Sequence, residues 1–180
     1  WSADPGDHPE ASWMAGQLSE EPGAATWMFK TLPGVTVDTL TSTERTNVLN
    51  ATANIYISQN GVNMTEPGKM ASGQFIDIIH ARDWLEARLA EDIFARLTAA
   101  KKIPYTNKGA GVLEAAVRAR LDDAVRKGVL TDDEEYVVTV PKVSAQLTAD
   151  RAARYFPGVT FTGTLAGAIH KVQVRGTIDV

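Results

Sequence analysis

Three histidines are the residues in this chain best suited to acid–base or metal chemistry near neutral pH. His8, His80 and His170 lie far apart in the sequence, and none has a partner at the spacing of a helical metal site. His80 has two carboxylates nearby, those of Asp77 and Asp83. Nothing in the spacing of these three residues supports a catalytic arrangement. A small enzyme with a site around them is therefore only an alternative interpretation.

Two further segments look like ligand-binding motifs but lack required residues. In GVNMTEPGKM (61–70), Gly61 and Gly68 are too far apart for a phosphate-binding loop, and Met70 stands where Ser or Thr must bind magnesium. The run DDEE (132–135) lacks the alternate spacing and the glycine of a calcium loop. Both are interpreted as turns. The sequence therefore predicts no catalytic residue, no metal ligand and no cofactor.

Composition narrows the class of protein further. The chain has 180 residues, which favours one domain, and its net charge of -4 argues against sequence-independent nucleic-acid binding. It has no cysteine, which excludes disulfides and thiolate metal sites. No run approaches the roughly 20 apolar residues of a membrane helix, so we expect no membrane insertion.

The hydrophobic pattern predicts an α+β fold. Apolar residues at helical spacing and capping signals predict helices over 10–20, 42–52, 81–100 and 109–128. Alternating or β-branched runs predict strands over 53–58, 136–140, 159–165 and 168–180. Residues 74–80 fit either a strand or the start of a helix. We expect a mainly antiparallel sheet with two long amphipathic helices packed on it, and a C-terminal β-hairpin formed by the last two strands.

The last strand alternates apolar and polar side chains up to the final residue. Val172, Val174, Ile178 and Val180 form its apolar row. A free strand edge is usually blunted by charge, proline or bulges, yet this segment contains no proline. It lies either inside the chain's own sheet or in the sheet of a neighbouring molecule.

A series of ordered blocks resembles the C-terminal part of phage tail-sheath-like proteins. The blocks are PGAATWMFKTLPGVT, ANIYIS, QNGVNMTEPGKMASGQFIDIIHARDWLEARL, KIPYTNKGAGVLEAAVRARL and LAGAIHKVQVRGTI. They cover the chain from about Trp13 to Val180 and carry no catalytic signature. The resemblance rests on the blocks as an ordered set, in which two long helices are followed by a strand and a closing hairpin.

The resemblance implies a structural virion protein and no enzyme. It implies the inner-layer domain of a contractile tail sheath, which polymerises around the tail tube by strand exchange and contracts to drive the tube through the host envelope. The implied partners are neighbouring sheath subunits and the tail tube protein, with assembly in the host cytoplasm and residence in the virion tail. The implied organisation is a linker with a short helix over 1–24, a core domain over 25–167 and an arm strand over 168–180. An N-terminal arm is expected before residue 1.

Within this resemblance two sets of residues become candidate sites. The row Val172, Val174, Ile178 and Val180 is expected to fill pockets in an acceptor sheet. A tube-facing patch is expected on the second long helix, through Arg118, Arg120, Arg126 and Lys127, although a solvated helix face explains the same charges.

Two alternatives to the sheath stay open besides the enzyme. One is a tail tube or baseplate structural protein of the same kind of particle, although two long helices argue against a tube protein built mainly from barrel-like sheet. The other is a monomeric binding module whose terminal strand lies inside its own sheet.

Overall fold

The computed structural model describes residues 1–177, which form five α-helices and four short strands. The elements are α1 (Pro9–Gln17), α2 (Ser42–Asn50), β1 (Ile55–Gln59), β2 (Val62–Glu66), α3 (Ile76–Ala99), α4 (Asn107–Arg126), β3 (Val137–Thr139), α5 (Thr148–Ala152) and β4 (Thr160–Thr162). The chain divides into two compact units. Unit 1 comprises residues 1–20, 25–77 and the segment from 167, and unit 2 comprises residues 21–24 and 78–166.

Unit 1 is built on the antiparallel hairpin of β1 and β2. Ile57 pairs with Met64, and the two strands are joined at Asn60 and Gly61, whose φ angles are 52° and 80°. Two successive positive φ angles are typical of the tight hairpin turn that Asn-Gly favours. Outside these two strands, Asp38 forms an isolated parallel β-bridge with Ile57. Residues 62–66, which the sequence analysis interpreted as part of a turn, therefore form the return strand of this hairpin.

The N-terminus of α2 confirms the capping signal in the sequence. The hydroxyl of Thr41 accepts a hydrogen bond from the backbone N–H of Glu44, and the Glu44 carboxylate accepts one from the backbone N–H of Thr41 at 2.8 Å. This reciprocal pair satisfies two backbone donors that the first turn of a helix leaves without partners. It fixes the start of α2 at Ser42.

Helix α3 starts five residues earlier than the sequence pattern predicted. Residues 76–80 are its first turn, so the helical interpretation of this segment is the correct one. The isoleucines at 76, 78 and 79 have a high strand propensity. That propensity is weak compared with the stabilisation from burial, and the helix buries Ile76. Within residues 1–177 no helix is both long and apolar enough to cross a membrane.

The core of unit 2 lies between α3, α4 and the β3–β4 pair. Its buried residues are Ala81, Trp84, Leu85, Leu89, Val117, Leu121, Ala124, Val129, Leu130 and Val138. Leu121 and Ala124 are fully buried, which confirms the inward face predicted for α4. At the start of α4, a Cβ on Gly109 would lie 1.9 Å from the carbonyl oxygen of Pro104, so this position requires glycine.

The structure confirms the α+β class with antiparallel strand pairs and two long helices, but β4 has an unexpected partner. β4 pairs with β3, with Val138 opposite Phe161, and not with the terminal segment. The chain beyond β4 also bonds to residues preceding β3: Thr131 N–H donates to the Thr164 carbonyl at 2.9 Å. These bonds occupy one edge of the 160–166 segment. The expected C-terminal β-hairpin is therefore confirmed as the antiparallel β3–β4 pair, whereas the described residues of the terminal segment do not form the pairing with 159–165 that was predicted.

Candidate assembly surfaces

The histidine site considered as an enzyme alternative does not form a convergent cluster. Asp77, His80 and Asp83 are spaced three residues apart on α3, so each is rotated by about 60° from the one before. Asp77 is buried, His80 is half-buried, and Asp83 is exposed beside Arg82 at 3.6 Å. Among residues 1–177 there is no group of three or more His, Asp or Glu side chains that could hold a metal ion. The geometry gives this alternative no support.

The terminal segment carries an exposed apolar row. Val172 is 78% exposed and Val174 is 87% exposed, and residues 168–177 form no strand. The other two residues of the predicted row, Ile178 and Val180, lie outside the described residues. The polar residue between the two valines, Gln173, is exposed as well. The described part of this row is therefore left uncovered by the chain itself.

The side chain of His170 packs the start of this segment against other residues of unit 1. Its Nε2 atom lies 2.7 Å from the hydroxyl oxygen of Thr26. Its ring makes edge-to-face contacts with Phe29 and Phe75, with centroid distances of 5.8 and 5.0 Å. We call residues 171–180 the terminal arm, because His170 is the last residue of the described chain with such packing contacts.

An apolar groove of about 440 Å³ runs beside β4 in unit 2. Phe161, Gly163 and Leu165 alternate along one face of the β4 segment, and Leu85 and Leu89 of α3 line the groove opposite them. In the sheet formed by the described residues, β4 has a strand on one edge, which is β3. The groove therefore lies beside a strand that has one edge without a strand partner.

Arg120, predicted to face the tube, is held by carboxylates of its own unit. It makes a bidentate contact with Asp92 at 2.7 and 3.1 Å and a further contact with Asp123 at 2.9 Å. Its guanidinium also lies 5.7 Å from the ring centroid of Trp84. The hydrogen bond with Asp92 raises the pKa of Arg120 above its usual value, although partial burial opposes the shift.

The other three predicted cations are also paired. Arg118 contacts Glu114 at 2.9 Å, Arg126 contacts Asp123 at 3.1 Å, and Lys127 binds both Glu21 and Asp123. Burial raises the pKa of Asp123, but hydrogen bonds from Lys127 and Arg126 outweigh it and hold that pKa below its ordinary value. The face of α4 that carries these cations is therefore close to neutral, and its contact with a tube stays a prediction.

Sequence reasoning missed the residues that hold the arm and those that line the groove. Thr26, Phe29 and Phe75 meet His170 only through the tertiary fold, and no local pattern in the sequence indicates this contact. The alternation of Phe161 and Leu165 indicates a strand but not its partner. The partner is β3, and the other edge of β4 has no strand partner among the described residues.

Comparisons with known proteins agree with the fold. Residues 76–136, which contain α3 and α4, match the family model described as E217 tail sheath protein gp31-like, C-terminal domain. No curated protein matches the chain.

Two solved structures share the architecture. One is described as the anti-feeding prophage (AFP) baseplate, 6-fold symmetrised, with a TM-score of 0.69 and 14% identity, covering 94% of this chain and 49% of that chain. The other is an extracellular contractile injection system, the PVC sheath complex in its contracted state, with a TM-score of 0.68 and 14% identity, covering 88% and 46%. The chain thus spans about half the length of each. Over residues 76–136 this chain is thus similar in sequence to the C-terminal domain of a tail sheath protein, and over most of its length it shares its fold with chains of a contractile sheath complex and of a baseplate.

Proposed function

We propose that this chain is the inner-layer, C-terminal domain of a contractile tail sheath, and that neighbouring subunits are joined through the terminal arm. The observation that carries the proposal is the exposed row of Val172 and Val174 on an arm that no described strand pairs with. Exposed apolar side chains that alternate along an extended segment offer one apolar face that a partner strand can cover. The arm then adds as a strand to the sheet of the next subunit.

The acceptor in this proposal is the free edge of β4 with its groove. A strand laid beside β4 would form backbone hydrogen bonds with it and place alternate side chains over the groove face. That face presents Phe161 and Leu165, which match the apolar row of the arm in character. The backbone supplies affinity and the groove selects which face of the arm turns inward.

Strand exchange of this kind explains how a sheath changes shape without coming apart. Arms that stay paired act as tethers, while the domains that they join rotate as rigid bodies. The metastable extended assembly stores the energy, so contraction needs no nucleotide and no catalytic site. In this proposal the assembly encloses a tail tube, forms in the host cytoplasm and resides in the virion tail, with α4 and its paired ions, Arg118 to Lys127, turned toward the tube.

The absence of cysteine from the chain permits a direct test by disulfide trapping. We would mix a Phe161→Cys chain with a Val172→Cys or Val174→Cys chain under mild oxidation and measure dimers on a non-reducing gel. A Gln173→Cys chain is the matched control, because successive side chains of a strand face opposite ways. Dimers are expected with the valine positions and much less with position 173. Equal trapping at all three positions, or none at either valine, would contradict the proposal.

A truncation tests the role of the arm in assembly. Electron microscopy of the chain and of a version lacking residues 171–180 should show tubes or rings only with the arm. The truncated chain should keep its circular dichroism spectrum, because residues 171–177 are exposed. Loss of folding on truncation, or assembly that survives it, would count against strand donation.

A baseplate component is the second candidate, because one of the two similar structures is described as a baseplate. The same images separate the two roles. A sheath subunit stacks into tubes of variable length, whereas a baseplate component stops at a closed ring.

A further inference from the structure

The tip formed by the end of α3 and the start of α4 carries cations without carboxylates. Residues 93–113 contain Arg96, Lys101, Lys102 and Lys108 and no Asp or Glu, in a protein whose net charge is -4. All four cations are exposed. None of them takes part in an ion pair within residues 1–177. These charges are therefore available to a partner.

A second segment adds cations to the same tip. The backbone N–H of Val143 donates to the Asn107 side-chain oxygen at 2.9 Å, and the Tyr105 hydroxyl donates to the Tyr155 carbonyl at 2.9 Å. The guanidinium of Arg151 lies 5.8 Å from the ring centroid of Tyr105. These contacts fasten the segment 142–155 to the tip of the helix pair.

The fastened segment is itself basic. Over residues 142–155 it has three cations and a single carboxylate, Asp150. The combined surface is called the basic pole, and its cations are Arg96, Lys101, Lys102, Lys108, Lys142, Arg151 and Arg154. The contacts at Tyr105 and Asn107 thus bring two basic stretches that are far apart in sequence to the same end of the helix pair.

The same unit carries an acidic counterpart. Asp132, Asp133, Glu134 and Glu135 are all exposed, and none is in an ion pair of the described chain. This loop, called the acidic pole, leaves the sheet between two pairing points, Leu130 with Leu165 and Val137 with Thr162.

Helix α4 keeps the two poles apart. The basic pole lies at its N-terminal end, and the acidic pole lies toward its C-terminal end, where the neighbouring Tyr136 hydroxyl bonds to Asp122. Between residues 108 and 122 the helix rises about 20 Å. The screening length at physiological salt is about 8 Å, so the poles do not neutralise each other within one chain.

We propose that the basic pole of one copy of this chain binds the acidic pole of the next. The contact joins unlike surfaces, so it is heterologous and can repeat in a ring or stack. A second copy is favoured over nucleic acid because the chain itself supplies the complementary charge and is acidic overall. This inference deepens the proposed sheath function by adding a contact that does not involve the arm.

Charge reversal tests the contact. Lys101→Glu/Lys102→Glu lowers the charge of the basic pole from +6 to +2, and Asp132→Lys/Asp133→Lys takes the acidic pole from -4 to 0. Each should raise the critical concentration for assembly about tenfold or more, because the attraction between the poles is weakened or lost. Lys30→Glu/Arg88→Glu is the matched control for the lysine reversal, since it changes the net charge by the same amount outside both poles.

Sedimentation at rising salt gives the readout. Between about 0.1 M and 1 M salt the screening length falls from about 10 Å to 3 Å, so the differences between variants should shrink. The proposal is overturned if neither reversal weakens assembly, if the control variant weakens it as much as the lysine reversal does, or if the unaltered chain does not self-associate. Weaker assembly of both reversal variants, with the control variant unaffected, supports it. Loss of assembly on arm truncation together with indifference to charge reversal would remove this contact and leave strand donation standing.

Discussion

Shortening two valines of the terminal arm should weaken association without weakening the fold. Val172 and Val174 are 78% and 87% exposed, so the free chain gains almost nothing from them. If both become buried against a neighbour, Val172→Ala/Val174→Ala removes about two methylene equivalents at each position, or about 3 kcal/mol in all. That loss corresponds to roughly a hundredfold weaker association.

The measurement is association by analytical ultracentrifugation, paired with thermal unfolding of each variant. Gln173→Ala/Arg175→Ala is the control, since these side chains alternate with the valines. It should change association by much less than the valine pair. Two results would refute the reasoning. A lower melting temperature for the valine variant would show that these side chains stabilise their own chain, and equal weakening by both variants would show that the arm has no inward face.

Three further predictions concern stability. Leu121→Ala removes a fully buried side chain among bulky neighbours and should cost about 3–4 kcal/mol in urea unfolding, whereas Phe94→Ala, at a residue 67% exposed, should cost under about 1 kcal/mol. The folded chain holds the pKa of Asp123 below 3.8, so this carboxylate stabilises the fold above about pH 4 and that contribution is lost as the pH falls through the folded pKa. Asp123→Asn should therefore lower stability at pH 7 and flatten the decline below about pH 4 in a pH series of melts. His170→Ala should cost about 1–2 kcal/mol and speed proteolytic removal of the arm, because a side-chain hydrogen bond and two ring contacts are lost.

Helices were the part of the fold that the sequence could predict. The signals for α2 and α4 are local: a capping pair at Thr41 and Glu44, and an apolar row that includes Val117 and Leu121. Such signals act within a few residues of chain and need no knowledge of the tertiary fold. Local signals do not fix the start of α3, because Ile78 and Ile79 suit a strand as well as a helix.

Strand partners and charged surfaces could not be predicted in the same way. Alternation shows that residues 160–165 are extended, but it does not say that β3 bonds to them. The four cations of α4 look like a free patch in sequence, yet three of their counterions, Asp92, Glu21 and Asp123, are set by packing or helix register. The basic pole depends on contacts of Asn107 and Tyr105 with residues 36 and 50 positions further along the chain.

If the basic pole of one copy binds the acidic pole of the next, as proposed, the separation of the poles along α4 gives the stack a direction. Each added copy leaves one surface of the same sign exposed, so one terminus of the stack is always basic and the other always acidic. A component that starts growth by binding the basic terminus must present a negative face, and one that binds the acidic terminus must present a positive face. A component that stops growth binds the other terminus, so its face must have the opposite charge to that of the starting component. In such a stack, the direction of growth would follow from the charge distribution of a single unit.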